Sequence, residues 1–145
     1  MGLQAIVVGV LVQFSESFSM VDLFDTEPGA PVDLLGAVIW PLCLDEDAQA
    51  AMLADLRDVA RAAPFRQYET PGGHKMSVRM TSAGDVGWMT DRKGYRYSTR
   101  HGDGGAWPEI PASVLDVWRA VSGVDRDPDS CLVNFYGEGA RMSLH

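Results

Sequence analysis

The stretch "PFRQYETPGGHKMSVRMTS" constrains the fold more than any other part of the chain. Met76, Val78 and Met80 alternate with Lys75, Ser77, Arg79 and Thr81, the two-residue period of a strand with one buried face. Before it, Thr70-Pro71-Gly72-Gly73 reads as a turn. Proline pre-sets φ at the first central position, and glycine at the second accepts a positive φ. Phe65–Thr70 and His74–Thr81 are therefore predicted to pair as a hairpin. An antiparallel sheet with a covered side follows.

The remaining elements alternate in type. "GAVIWPLCL" (Gly36–Leu44) reads as a buried strand interrupted by Pro41, placed at an edge or bend. "DEDAQAAMLADLRDVARAAPF" carries Met52, Leu56, Val59, Ala60 and Ala63 at helical spacing. Asp45 to Asp47 supply a cap and favourable charge at its start, and Pro64 ends it. "GYRYS" (Gly94–Ser98) is a further strand, and a polar glycine-rich loop follows at 101–105. "PASVLDVWRAVSG" is a second helix, with Pro111 at its first position and Gly123 closing it. In "DSCLVNFYG", Cys131, Val133 and Phe135 share one strand face, and Leu132, Asn134 and Tyr136 share the other. The order strand, helix, hairpin, strand, helix, strand is an α+β pattern.

At 145 residues the expectation is one domain or part of one. The net charge of −8 is uneven. Residues 1–60 hold ten acids and one base, whereas residues 66–100 hold seven bases and three acids. That basic middle is where a polyanion would bind. Cys43 and Cys131 each lie in an apolar run and read as buried free thiols of a reducing compartment, here the cytoplasm. "AIVVGVLV" (Ala5–Val12) is far too short to span a membrane, and no basic residue precedes it as in a signal peptide. Residues 1–19 are expected to be an extension without a role in the fold, and 20–145 the domain proper.

The segments "APFRQYETPGGHKMSVRMTSAGDVGWMTDRKGYRYS" and "PDSCLVNFYGEGARMSLH", with "VDLF" after Met20, carry a resemblance that covers about residues 21–145. The chain resembles the AlkB family of nucleic-acid repair dioxygenases. The match includes the motif Asn-x-Tyr-x-x-Gly, five residues, then His. The resemblance implies Fe(II) and 2-oxoglutarate as cofactors, a double-stranded β-helix (jelly roll) and oxidative removal of N-alkyl groups from bases. Alkylated single-stranded DNA or RNA is the implied partner; neither a membrane nor a stable protein partner is implied.

Residue by residue, the resemblance gives Asn134 and Tyr136 to 2-oxoglutarate and His145 to iron as its first ligand. Trp88 matches the base-stacking aromatic, Tyr95 a residue contacting the adjoining nucleotide, and Met76 a wall of the base pocket. The physical reasons agree. A spacing of two puts an amide and a phenol on one strand face, where both can donate to a carboxylate. A flipped base needs an aromatic platform. Met76 also suits simple core packing, and Arg66, Arg79, Lys93 and Arg96 suit either phosphates or a solvated face.

The chain ends before the carboxylate and second histidine of a facial triad. It is therefore expected to be the N-terminal part of such an enzyme, a nucleotide-recognition lid with the first strands of a truncated jelly roll, inactive alone. The alternative is a non-catalytic module that grips single-stranded nucleic acid.

Overall fold

A computed structural model of the chain describes residues 5–9, 30–34 and 37–140. The elements are β1 (Ala5–Gly9), β2 (Val32–Leu34), β3 (Ala37–Ile39), α1 (Glu46–Ala62), β4 (Arg66–Glu69), β5 (Lys75–Gly84), β6 (Gly87–Asp91), β7 (Gly94–Ser98), α2 (Ala112–Val121) and β8 (Ser130–Phe135). This is a mixed α and β architecture with antiparallel sheets and two helices.

The predicted hairpin forms. β4 and β5 pair antiparallel, with Arg66 opposite Met80 and Glu69 opposite Lys75. The turn differs by one residue from the expected geometry. Gly73 N–H donates to the Thr70 carbonyl at 2.8 Å, and the positive φ of 80° falls on Gly73 rather than Gly72. This is a turn whose last residue is left-handed, the arrangement of a three-residue hairpin loop. Its tip is tied further by Thr70 Oγ1, which accepts from His74 N–H at 3.3 Å.

β5 also pairs antiparallel with β8, placing Met80 opposite Asn134, Thr81 opposite Val133 and Ala83 opposite Cys131. The sheet order is β1-β8-β5-β4, with β1 parallel to β8. Residues 5–9, expected to stand outside the fold, thus occupy the free edge of β8, where an unpaired strand otherwise exposes its N–H and C=O groups.

The two sheet faces carry different cores. On one, Ala83, Cys131 and Val133 pack with Leu56 and Val59 of α1 and Val114 of α2. Helix α1 begins as its sequence predicts: Asp45 is the N-cap, and its Oδ1 accepts from Ala48 N–H at 2.8 Å. Pro111 stands one residue earlier than expected, as the N-cap of α2 rather than its first helical residue. Ser113 Oγ donates to Asp55 Oδ2 at 2.6 Å and joins the helices. On the other face, Tyr68, Val78 and Met80 pack with Met76, Trp88, Met89, Leu132 and Tyr136.

The β6–β7 hairpin covers this second face. Sequence patterning reads only its second strand, because Gly87-Trp-Met-Thr lacks a clean alternation. At its turn Asp91 Oδ1 accepts from Lys93 N–H at 2.8 Å, an Asx turn. Arg96 adds two bonds to the Asp91 carboxylate, at 3.0 and 2.7 Å. Chiefly through these bonds, the Asp91 carboxyl is held down at about 2. Gly87 has a steric reason: a Cβ there would lie 2.2 Å from the Trp107 ring. Trp107 is itself pinned by its Nε1–H donating to the Ser98 carbonyl at 2.7 Å.

Two expectations fail. "GAVIWPLCL" is not a buried strand: strand structure holds only over Ala37–Ile39, and Pro41-Leu42 forms a turn with Leu42 at φ 56°. Val38, Ile39 and Leu42 are exposed. An apolar run is buried only where the fold packs another element over it, which the run's own sequence does not decide. The same applies to Cys43, which is exposed and not buried. Cys131 is buried as expected, and desolvation pushes its thiol up to about 12.

Candidate functional site

The site is built on the face of β5 and β8 that turns away from the helices. Along β8 the two-residue period sends Leu132 and Asn134 to that side, and Tyr136 continues the series just past the strand. Tyr136, like Met76 and Trp88, packs against the second core of Tyr68, Val78 and Met80. Asn134 Nδ2–H donates to the Tyr136 hydroxyl at 3.4 Å. Asn134 Oδ1 is buried and has no hydrogen-bond partner among the described residues. An orphaned buried acceptor costs about 1–3 kcal/mol, so a hydrogen-bond donor brought to this position would relieve it.

The aromatic part lies on the covering hairpin. Trp88 on β6 and Tyr95 on β7 are diagonal neighbours, since Trp88 is opposite Tyr97 and Thr90 opposite Tyr95. Their ring centroids are 5.6 Å apart at 30°, a stacked pair. Tyr68 on β4 meets Trp88 edge-on at 5.9 Å and 89°. Both arrangements suit aromatic quadrupoles. Tyr95 is 63% exposed and Tyr68 only 8%. Burial raises the Tyr68 phenol, with Arg66 and Arg96 pulling the other way.

The structure thus brings Met76, Trp88, Tyr95, Asn134 and Tyr136 to one side of the sheet. Met76 is half-buried and packs against the cluster. Tyr68 is a member the sequence did not flag. The available signal was its place in "FRQYE", an aromatic alternating with Gln67 and Glu69 on a predicted strand.

The four cations named from sequence divide differently. Arg66 is paired with Asp103, and Arg96 with Asp91 at 2.7 Å. Arg79 lies over the Phe135 ring at 4.5 Å, opposite Phe135 in the sheet and away from the aromatic cluster. Lys93 is exposed at the β6–β7 turn. His145 lies outside the described residues. Among the described residues, no group of three or more His, Cys, Asp or Glu side chains could hold a metal ion, so they do not by themselves fit an iron centre. No helix among them is long and apolar enough to cross a membrane.

The model of the 2OG-Fe(II) oxygenase superfamily matches residues 36–145. The chain belongs to this superfamily, whose description carries Fe(II) and 2-oxoglutarate as its cofactors.

Within it, the chain falls with the AlkB proteins. An alpha-ketoglutarate-dependent dioxygenase AlkB homolog of Caulobacter vibrioides is 46% identical over 111 residues, covering 76% of this chain and 50% of that protein. The alpha-ketoglutarate-dependent dioxygenase AlkB of Escherichia coli is 42% identical over 132 residues, covering 87% of this chain and 61% of that protein. The Salmonella typhimurium AlkB is 43% identical over 136 residues with the same coverage. The chain therefore spans about half of the Caulobacter relative and somewhat more of the enteric ones.

Proposed function

We propose that this chain provides the substrate-recognition surface and part of the 2-oxoglutarate site of an AlkB-type dioxygenase acting on alkylated bases in single-stranded nucleic acid. In this reading the β4–β5 and β6–β7 hairpins are the recognition lid, and β5 and β8 are strands of a jelly roll. The observation that carries it is the convergence of Trp88, Met76, Tyr136 and the half-satisfied Asn134 on one side of the sheet.

Each side chain has a task its chemistry suits. Asn134 and Tyr136 offer N–H and O–H donors to a carboxylate or keto oxygen of the cosubstrate. Trp88, steadied by Tyr68 at its edge, offers an aromatic platform for a base taken out of its stack. Met76 adds a polarizable wall that adapts to the base. Iron and 2-oxoglutarate, when bound, supply the oxidation. His145 is the chain's candidate iron ligand.

The test is a pair of equilibrium titrations on the purified chain. Ligand-observed NMR follows 2-oxoglutarate, and fluorescence anisotropy follows a singly methylated single-stranded oligonucleotide. Saturable binding of both, with the oligonucleotide weakened by Trp88→Ala and 2-oxoglutarate by Tyr136→Phe, is expected. Absence of saturable binding for both ligands overturns the proposal.

A further inference from the structure

We infer that Arg92 and Lys93, at the turn of the β6–β7 hairpin, bind the phosphate backbone of the bound strand. The inference rests on the nucleic-acid reading above and assigns the electrostatic half of that site. It comes from sorting the cations of the basic middle segment by what they already touch. Arg66 and Arg96 are neutralised by Asp103 and Asp91. Arg100 Nη1–H donates to the Gly104 carbonyl at 2.7 Å. Arg79 is stacked on Phe135, and Lys75 shares its strand face, which is the face away from Met76. Arg92 and Lys93 remain: both are exposed, and neither is ion-paired with a described residue.

Their position is also set. The tip of the other hairpin comes to Arg92: a Cβ built on Gly73 would lie 3.7 Å from Arg92 Nη2 and 3.8 Å from its Nε. Gly73 carries no side chain and has φ 80°, so the guanidinium lies beside bare backbone at the meeting of the two turns. The carboxylate nearest in the turn, Asp91, is committed to Arg96 and to Lys93 N–H. Lys93 is two residues from Tyr95, whose ring stacks on Trp88. Base platform and cationic turn are therefore continuous on one hairpin, the combination that binds single strands. An arginine fork and a lysine point charge are both suited to phosphate oxygens.

The experiment measures oligonucleotide affinity by anisotropy across a salt series on the full chain. Removing one phosphate-binding cation should lower the slope of log affinity against log salt by about 0.7 for a single strand. The double variant Arg92→Gln/Lys93→Gln should lower it by about 1.4, by the same relation. Arg57→Gln/Arg61→Gln, the same charge change on α1 across the sheet, should leave it unchanged. Arg92→Lys keeps the charge and should keep the slope. An unchanged slope in the turn double variant, an equal drop in the helix variant, or a lower slope with Arg92→Lys would each overturn the inference, while Trp88→Ala weakening still upholds the base platform. No binding by the unaltered chain removes the nucleic-acid reading and this phosphate site together.

Discussion

Trp88 is held from two directions: Tyr95 stacks on its ring at 5.6 Å, and Tyr68, from a different sheet, meets it edge-on at 5.9 Å. The exposed tyrosine and the buried one do different things. Tyr95 extends the aromatic surface outward, and Tyr68 packs against the edge of the Trp88 ring from β4. Replacing Trp88 by Ala should weaken binding of a methylated single strand by about 1–3 kcal/mol. Trp88→Phe should retain part of that, because any aromatic face stacks. Anisotropy titration checks both, and equal affinities for Ala and Phe would argue against stacking.

Tyr136→Phe removes one hydroxyl and little volume. A hydrogen bond to a charged group contributes about 1.5–3 kcal/mol, so 2-oxoglutarate affinity should fall by roughly 10- to 100-fold. The circular dichroism spectrum should not change. An unaltered NMR titration curve would remove Tyr136 from the cosubstrate site.

Gly87→Ala places a methyl group into the Trp107 ring, with Cβ 2.2 Å from the nearest ring atom. Overpacking of this kind costs about 1–3 kcal/mol. The denaturant midpoint should drop, and Trp88, the next residue, should shift with the β6 backbone. A midpoint equal to that of the unaltered chain would mean that the ring moves aside freely.

The Cys131 thiol makes alkaline stability a direct readout of the helix-side core. Burial raises it from an ordinary value of 9.0 to about 12. Below 9 the thiol is protonated in both states and there is no pH effect from it. Above 9 the unfolded chain loses its proton while the folded one keeps it, so stability falls as pH rises toward 12, by about 1.4 kcal/mol per unit. Urea midpoints measured from pH 8 to 10.5 should decline, and Cys131→Ala should decline less steeply over that window. Parallel declines would show that other groups dominate.

The chain's local rules determined a good deal. The alternation of Met76, Val78 and Met80, the cap at Asp45 and the shared face of Asn134 and Tyr136 all follow from periods of two or 3.6 residues and from the chemistry of one side chain next to its own backbone. Such features need no distant partner, so they are legible in the string. The resemblance in "TPGG", "GWMT" and "NFYGEG" added which of them to expect in a site. Tertiary structure alone decided the rest. Cys43 and Cys131 stand in similar apolar runs, yet only Cys131 meets two helices that bury it. Arg66 and Lys93 both carry a positive charge, yet Asp103, 37 residues along the chain from Arg66, neutralises the first, while Lys93 stays exposed. Tyr68 joined the aromatic cluster because β6 folds over β4. Burial and charge pairing depend on which elements meet, and that choice is made by the whole fold, not by any window of the sequence.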